Sequence, residues 1–441
     1  MRLACLRDRR LSVWLAMGAV VSLAGHAAAG TLPATVAARA AAADLIVASV
    51  DDWISLVPYA TGGGDGGTVR VSSAASAEAV YLLFATNGGE ASSARHDRDD
   101  IVRSGTLILK RSRESGELMQ AKLFLRDQIG SFARVFPRGE RSVVDLYLFG
   151  ERLYGAVPLP VPLAQLATMP LSRLMELTER TIDWPLVMHD EQRPADRRGV
   201  ELIEAIRPQL PHLTDADDGA MDAGGNYVFI ETGELQPLAE RGFNCSGFCK
   251  WVIDGYYHPI EGAFTDIAEL KRKDLELRGN RWSTWYEALR DPFFGLDWAR
   301  NLAATLDRAR IGRDVDPEAG DVREVDFATY VEDIGYPLES IDLTLYTLTV
   351  RKPGRFYVGS INREFGSAPV LRQHSHLAVF FPYIDAAGAF RVVQVDRNLE
   401  RTTASLIRRY PGAYIHLTAI DAHGEFHHGL VAAQGAPSLG H

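Results

Sequence analysis

The chain has 441 residues, 46% of them hydrophobic and 24% charged, with a formal net charge of −10. That length predicts about two or three domains, and the composition excludes a disordered chain. The negative balance argues against nucleic acid as the main partner, because phosphate binding needs a concentrated basic surface.

The first residues carry a targeting pattern. MRLACLRDRR supplies positive charge, LSVWLAMGAVVSLAG is apolar, and AAAG offers small residues for cleavage near Ala29. The apolar part is shorter than the roughly 20 residues of a spanning helix. Residues 1–29 therefore read as a cleaved signal peptide, with an uncleaved anchor as the rival reading. The mature protein is expected to be periplasmic or secreted, with no stable membrane span after cleavage.

Residues 30–67 read as a linker or a short helix, Ala-rich at first and then Gly-rich in ATGGGDGGT. AVYLLFA, SGTLILKRS, QAKLFLRD, SFARVFP and SVVDLYLFG follow, separated by turn signals. Such runs predict a β-rich accessory domain over 68–185. PLSRLMELTERTI then has helical spacing, and HDEQRPADRRG reads as an inter-domain surface segment. RGVELIEAIRPQLPHL starts a helix that its prolines end, and NYVFIETG reads as a strand or extended entry.

The chemistry concentrates in GFNCSGFCKWVIDGY, residues 242–256. Cys245, Phe248, Cys249, Val252, Ile253 and Tyr256 fall on one stripe of a helix, with Asn244 as N-cap and Gly255 as a stop. Cys245 then stands at the first helical position, where unpaired N–H groups and the helix dipole favour a thiolate. The same N–H groups can hold an oxyanion. Cys249, one turn deeper, reads as a small packing residue. A disulfide between the two is poor geometry on one helix, and two thiols are too few for a closed zinc site.

Downstream, RQHSHLAVFFPYIDAAGAFRVVQVDRN reads as a β-hairpin. His374 and His376 are expected on one face of its first strand, and Gln394 and Asp396 on one face of its second. Folding about residues 386–387 sets Asp396 roughly opposite Ala378 and diagonal to His376, within side-chain reach. A carboxylate beside an imidazole orients the ring and fixes its tautomer. Turn type can shift that register by a residue or two, so Gln394 and Asn398 stay candidates for the same role. The rival is a metal site on the His374/His376 pair with Asp396, which no comparable strong motif supports. No metal and no organic cofactor is expected.

With these residues in place, NCSGFCKWV resembles the D-C-S-G-[FL]-V signature of NlpC-type cell-wall cysteine peptidases, a bacterial branch of the papain-like fold. NYVFIETG is similar to that family's P-Y-V-W-G-G segment, KPGRFYVGSI to its P-G-D-L-V-F-F strand, and HLAVFF to its H-V-G-I-Y strand. VVQVD is similar to the strand carrying the third polar residue, and the segments come in the family's order. The resemblance covers about residues 198–415. It implies an α+β, papain-like catalytic domain over 186–441, with Cys245 as nucleophile, His376 as base, and Asp396 or Gln394 as orienting residue. Tyr227, Asn244 and Ser246 then fall at oxyanion or substrate-binding positions. The implied activity is hydrolysis of amide bonds in peptidoglycan or another peptide. Alternatives are a thiol acyltransferase or esterase on the same fold, and a non-catalytic wall-binding module. Asn244 stands where the family has Asp, so it supplies no negative charge to a substrate amine. Residues 258–345 form an insertion, read as largely helical, in which Trp282, Trp285, Tyr286 and Trp298 are expected to be core or to line a groove.

Overall fold

The computed structural model describes residues 34–63, 67–87, 104–273, 291–366 and 370–427. The expected signal peptide, and Trp282, Trp285 and Tyr286 of the insertion, lie outside the described residues. The protein is α+β, built from helices and two large antiparallel sheets. It divides into two compact units that meet between His189 and Asp190. Among the described residues no helix is long and apolar enough to cross a membrane.

The first unit is an eight-stranded meander in which each strand pairs antiparallel with its sequence neighbour. The strands are β1 (Tyr59–Gly62), β2 (Thr68–Ala75), β3 (Ala79–Asn87), β4 (Leu107–Ser112), β5 (Leu118–Phe124), β6 (Phe132–Arg138), β7 (Arg141–Leu148) and β8 (Glu151–Leu159). The stretch expected as a linker or short helix is part of this body. It forms α1 (Ala34–Ala41), α2 (Ala43–Val47) and α3 (Val50–Ile54), then β1. Ala38, Ala42, Ile46 and Trp53 from these helices are buried. The Arg111 guanidinium on β4 lies 4.7 Å over the Trp53 ring and donates to the carbonyls of Ile46 and Ala48, which fixes the helices to the sheet. Helices α4 (Leu163–Thr168), α5 (Leu171–Thr178) and α6 (Trp184–Val187) complete the unit.

The second unit is a six-stranded antiparallel sheet with helices on both faces. Its strands run in the order β11 (Tyr336–Pro337), β16 (Tyr414–Asp421), β12 (Arg355–Phe365), β13 (Leu371–Ile384), β14 (Phe390–Asp396) and β15 (Leu399–Arg401). One face carries α7 (Pro194–Ile206), α8 (Cys245–Glu261) and α10 (Phe294–Ile311), packed on Phe356, Val358, Leu377, Val379 and Phe381. The short α9 (Ile267–Leu270) lies between the last two in sequence. The other face carries α11 (Ile341–Arg351) and α12 (Thr403–Arg409), packed on Tyr357, Ile361, Ala378, Phe380, Ile415 and Leu417. Alternate residues of each strand thus feed two separate cores, as the pleat requires.

Three expectations change here. The polar segment 189–199 is largely helix, since α7 begins at Pro194, and its Asp196 is buried, accepting from the Arg193 N–H at 2.9 Å. Helix α8 does not stop at Gly255. It runs through Pro259 to Gly262, whose left-handed φ of 69° and N–H to the His258 carbonyl close it. Gly255 instead makes room for Phe426, because a Cβ there would lie 2.2 Å from that ring. The described part of the insertion is not a separate helical piece. Its α10 lies in the core, with Trp298 fully buried, and its β11 extends the sheet.

Helix α8 is buried on nearly every side, more than its apolar stripe implies. Its polar side is satisfied by a buried pair, Lys250 Nζ to Asp254 Oδ2 at 2.6 Å. Asp254 Oδ1 also accepts from the N–H and hydroxyl of Thr265, at 2.9 and 2.8 Å. Buried charge survives in low dielectric only when it is paired and hydrogen-bonded in this way.

Candidate active site

Cys245 is the first residue of α8 and is only partly buried, whereas Cys249 is fully buried; both are free thiols. Asn244 precedes it with extended backbone, and its Oδ1 accepts from the Gly247 N–H at 2.9 Å. That bond uses the Asn244 carbonyl as a helix cap. Gly247 is required by a close approach, since a Cβ there would lie within 1.9 Å of the Gly219 carbonyl. Ser246 is buried, and its carbonyl accepts from the Trp298 indole N–H at 3.0 Å, tying α10 to the first turn of α8.

The histidine comes from β13, and a β-bulge sets its direction. On β12, Ile361 pairs with His376, but the next residue, Asn362, pairs with His374, so Ser375 is an extra residue. Cross-strand partners share a face. His376 therefore lies on the face of Ile361, while His374 lies on the face of Asn362 and Ser360. His374 Nδ1 is 2.9 Å from the Ser360 hydroxyl, and its Nε2 is 3.0 Å from the Asp333 carbonyl. The expectation that both histidines share one face is corrected by this bulge, and the paired-ligand reading loses its geometry.

Asp396 ends β14. Phe380 pairs with Gln394 and Val379 with Val395, so Ala378 falls opposite Asp396 by continuation of the register. His376 Nε2 and Asp396 Oδ1 stand 3.1 Å apart, both side chains nearly buried, though poorly aligned for a linear hydrogen bond. The contact is best described as a close ion pair. Gln394, another candidate, is fully buried two residues earlier on the same strand, opposite Phe380, and its amide makes no hydrogen bond among the described residues. Of the two, Asp396 is the residue brought to the imidazole.

The electrostatics follow from this arrangement. Burial raises the Cys245 thiol pKa, but the hydrogen bond and charge of His376 more than offset it, with smaller help from the Leu377 N–H and Arg397. The net position is below the ordinary thiol value. Burial lowers the His376 pKa, yet Asp396 and Cys245 together push it up to about 9. Asp396 is held below the usual carboxylate range: burial raises it, and His376, Arg409 and Arg401 overcome that. Cys249 goes the other way, well above the ordinary value, through burial and then the charges of Cys245 and Asp396. The Cys245 thiol is thus biased towards the thiolate and the His376 ring towards the imidazolium, while Cys249 is biased towards the neutral thiol.

Tyr227 lies on a two-residue strand, β10 (Tyr227–Val228), paired with β9 (Ala220–Met221). Its ring packs 5.2 Å from that of Phe243, two residues before the nucleophile, and Arg241 lies 6.0 Å over it. The structure also adds residues that the pattern of the chain did not single out. Tyr410 stacks on the His376 ring at 5.4 Å. Arg409 Nη1 and Arg401 Nε approach Asp396 Oδ2 at 3.1 and 3.4 Å. Arg409 ends α12 and Tyr410 follows it, and the helix is capped by Thr402, whose side chain accepts from the Ser405 N–H. TTASLIRRY carries that capping signal immediately after the acid-bearing strand, and it is the cue that locates them. Arg397 sits in the two-residue turn after Asp396 with a left-handed φ of 58°, and pairs with Asp215 at 2.6 Å.

A family model described as a domain of unknown function (DUF8515) matches residues 31–186, which lie in the first unit and include none of the site. No curated protein and no solved structure matches the chain.

Proposed function

We propose that the second unit is a papain-like thiol hydrolase that cleaves amide bonds. The observation that carries this reading is Cys245 at the N-terminus of a buried helix, coupled to an imidazole that meets the Asp396 carboxylate at 3.1 Å. In the proposed reaction the Cys245 thiolate attacks the amide carbonyl, forming a C–S bond. Asn244 caps Gly247, so the N–H groups of Cys245 and Ser246 are the first-turn donors left for the oxyanion. His376 gives its proton to the leaving nitrogen as the C–N bond breaks. It then takes a proton from water, which attacks the thioester, and the acid product leaves as the C–S bond breaks and the thiolate is restored beside the imidazolium. Asp396 keeps the imidazolium stable and oriented throughout. None of these steps calls on a metal or an organic cofactor.

The substrate class is proposed as stem or cross-link peptides of peptidoglycan, met by an exported enzyme. That assignment rests on the resemblance of NCSGFCKWV, NYVFIETG and HLAVFF to NlpC-type peptidases, and on the leader-like first 29 residues. The test is digestion of purified peptidoglycan by the full chain and by Cys245→Ala, read as muropeptides by mass spectrometry. New peptide termini that require Cys245 are expected. Unchanged muropeptides together with an unreactive Cys245 would overturn the proposal.

A further inference from the structure

Asp396 carries more positive charge than the thiol chemistry requires. Protonated His376 meets Oδ1, and both Arg409 and Arg401 meet Oδ2. Asp396 thus faces two arginines as well as the imidazole it orients. The neighbouring Arg397 is matched by Asp215, and Glu400 on β15 is engaged by Arg207. Asp396 is 3% exposed, while the Arg409 and Arg401 side chains are 50% and 39% exposed. Arg401 meets Asp396 through Nε and Arg409 through Nη1, and both guanidinium side chains stay partly exposed, with that of Arg409 5.3 Å over the Tyr410 ring.

The position of this charge gives it a role. His376 delivers its proton to the leaving nitrogen, so the leaving group lies on the imidazole side of the thiolate. Asp396 meets the Nε2 edge of that ring and Tyr410, next to Arg409, covers one of its faces, so both arginines stand around the imidazole that serves the leaving group. The opposite requirement, an acid to receive a substrate amine, is not met at Asn244, whose carbonyl oxygen is used in capping. We infer that Arg401 and Arg409 form a carboxylate-binding rim on the leaving-group side, and that the preferred leaving group is an amino acid or peptide with a free carboxylate close to the scissile amide. This deepens the hydrolase reading and rests on it. A guanidinium fork binds carboxylate through paired, charge-assisted hydrogen bonds, which gives discrimination against the neutral carboxamide.

The experiment uses two peptides with the same acyl side, one releasing alanine and the other alaninamide, assayed on the full chain. Wild type is expected to favour the free carboxylate by roughly tenfold in kcat/KM, the size of one charge-assisted bond. Arg409→Gln should bring that ratio towards one, and Arg409→Lys should restore part of it. Because Arg409 also touches Asp396, the ratio is the readout, and Cys245 alkylation is followed in parallel to separate a general loss of activation. Equal turnover of both peptides by wild type, or an unchanged ratio in Arg409→Gln, overturns the rim while leaving the hydrolase standing. Absence of Cys245-dependent turnover on either peptide and on peptidoglycan removes both proposals together.

Discussion

Replacing Asp396 by Asn keeps the shape of the side chain and removes the charge beside His376. In the native site His376 is pushed up to about 9 from an ordinary 6.5, against a burial effect that alone would lower it. At 1.36 kcal/mol per pKa unit this corresponds to about 3 kcal/mol favouring the imidazolium, shared between Asp396 and Cys245. The bent 3.1 Å contact suggests the lower part of the range for a charged hydrogen bond, about 1.5 kcal/mol for the Asp396 share. Arg401 and Arg409, no longer neutralised, add to the loss. The Asn variant should therefore alkylate at Cys245 about tenfold more slowly near pH 6, measured with iodoacetamide and peptide mass mapping, while Cys249 stays inert. Stability gives an independent check. A raised folded-state pKa contributes stability that is fully present below the unfolded value of about 6.5 and is lost as pH rises through about 9. The lowered Cys245 pKa works the other way over the same window, gaining stability as pH rises, so the two contributions offset each other and the wild-type melting temperature should change little across it. Superimposable alkylation profiles for the two proteins would refute the role given to Asp396.

Two further outcomes follow from groups outside the reacting atoms. Gln394→Met removes an amide buried without a hydrogen-bond partner among the described residues, so it should leave Cys245 reactivity intact and keep or raise the melting temperature; a clear drop would mean the amide is satisfied in solution. Asp254→Ala strands the Lys250 ammonium inside α8 and strips two hydrogen bonds from Thr265, and denaturant unfolding should show a loss of about 3–5 kcal/mol.

Much of the site was legible because it depends on local rules. A capping residue before a helical stripe located Cys245, and strand alternation with a short turn placed Asp396 near His376. What escaped depended on partners distant in sequence. The extra residue at Ser375 is recognised only when β13 is laid beside β12, and it separates His374 from His376. Gly255 resembles a helix stop, yet its lack of a side chain is used to admit Phe426 from beyond position 420. Residues 34–54 are rich in alanine, which announces no core by itself, and they join the first unit through Trp53, buried under Arg111 and the sheet. The apolar stripe of α8 was read correctly as buried, but not its polar side, since Lys250 and Asp254 neutralise each other there.

The short strap Leu213–Asp215 joins two halves of the machinery. On one side Asn398 Nδ2 donates to the Leu213 carbonyl at 2.9 Å and Arg397 pairs with Asp215. On the other, the Phe243 N–H meets the Thr214 carbonyl at 2.9 Å, and the Ala216 N–H meets the Phe243 carbonyl at 3.0 Å. The acid-bearing turn and the entry to the nucleophile are thereby hinged to a common bracket, so they travel as one rigid piece. Because β14 also pairs with the histidine strand β13 at six positions, the acid, the histidine and the entry to the nucleophile are held by one continuous backbone network that fixes their mutual spacing.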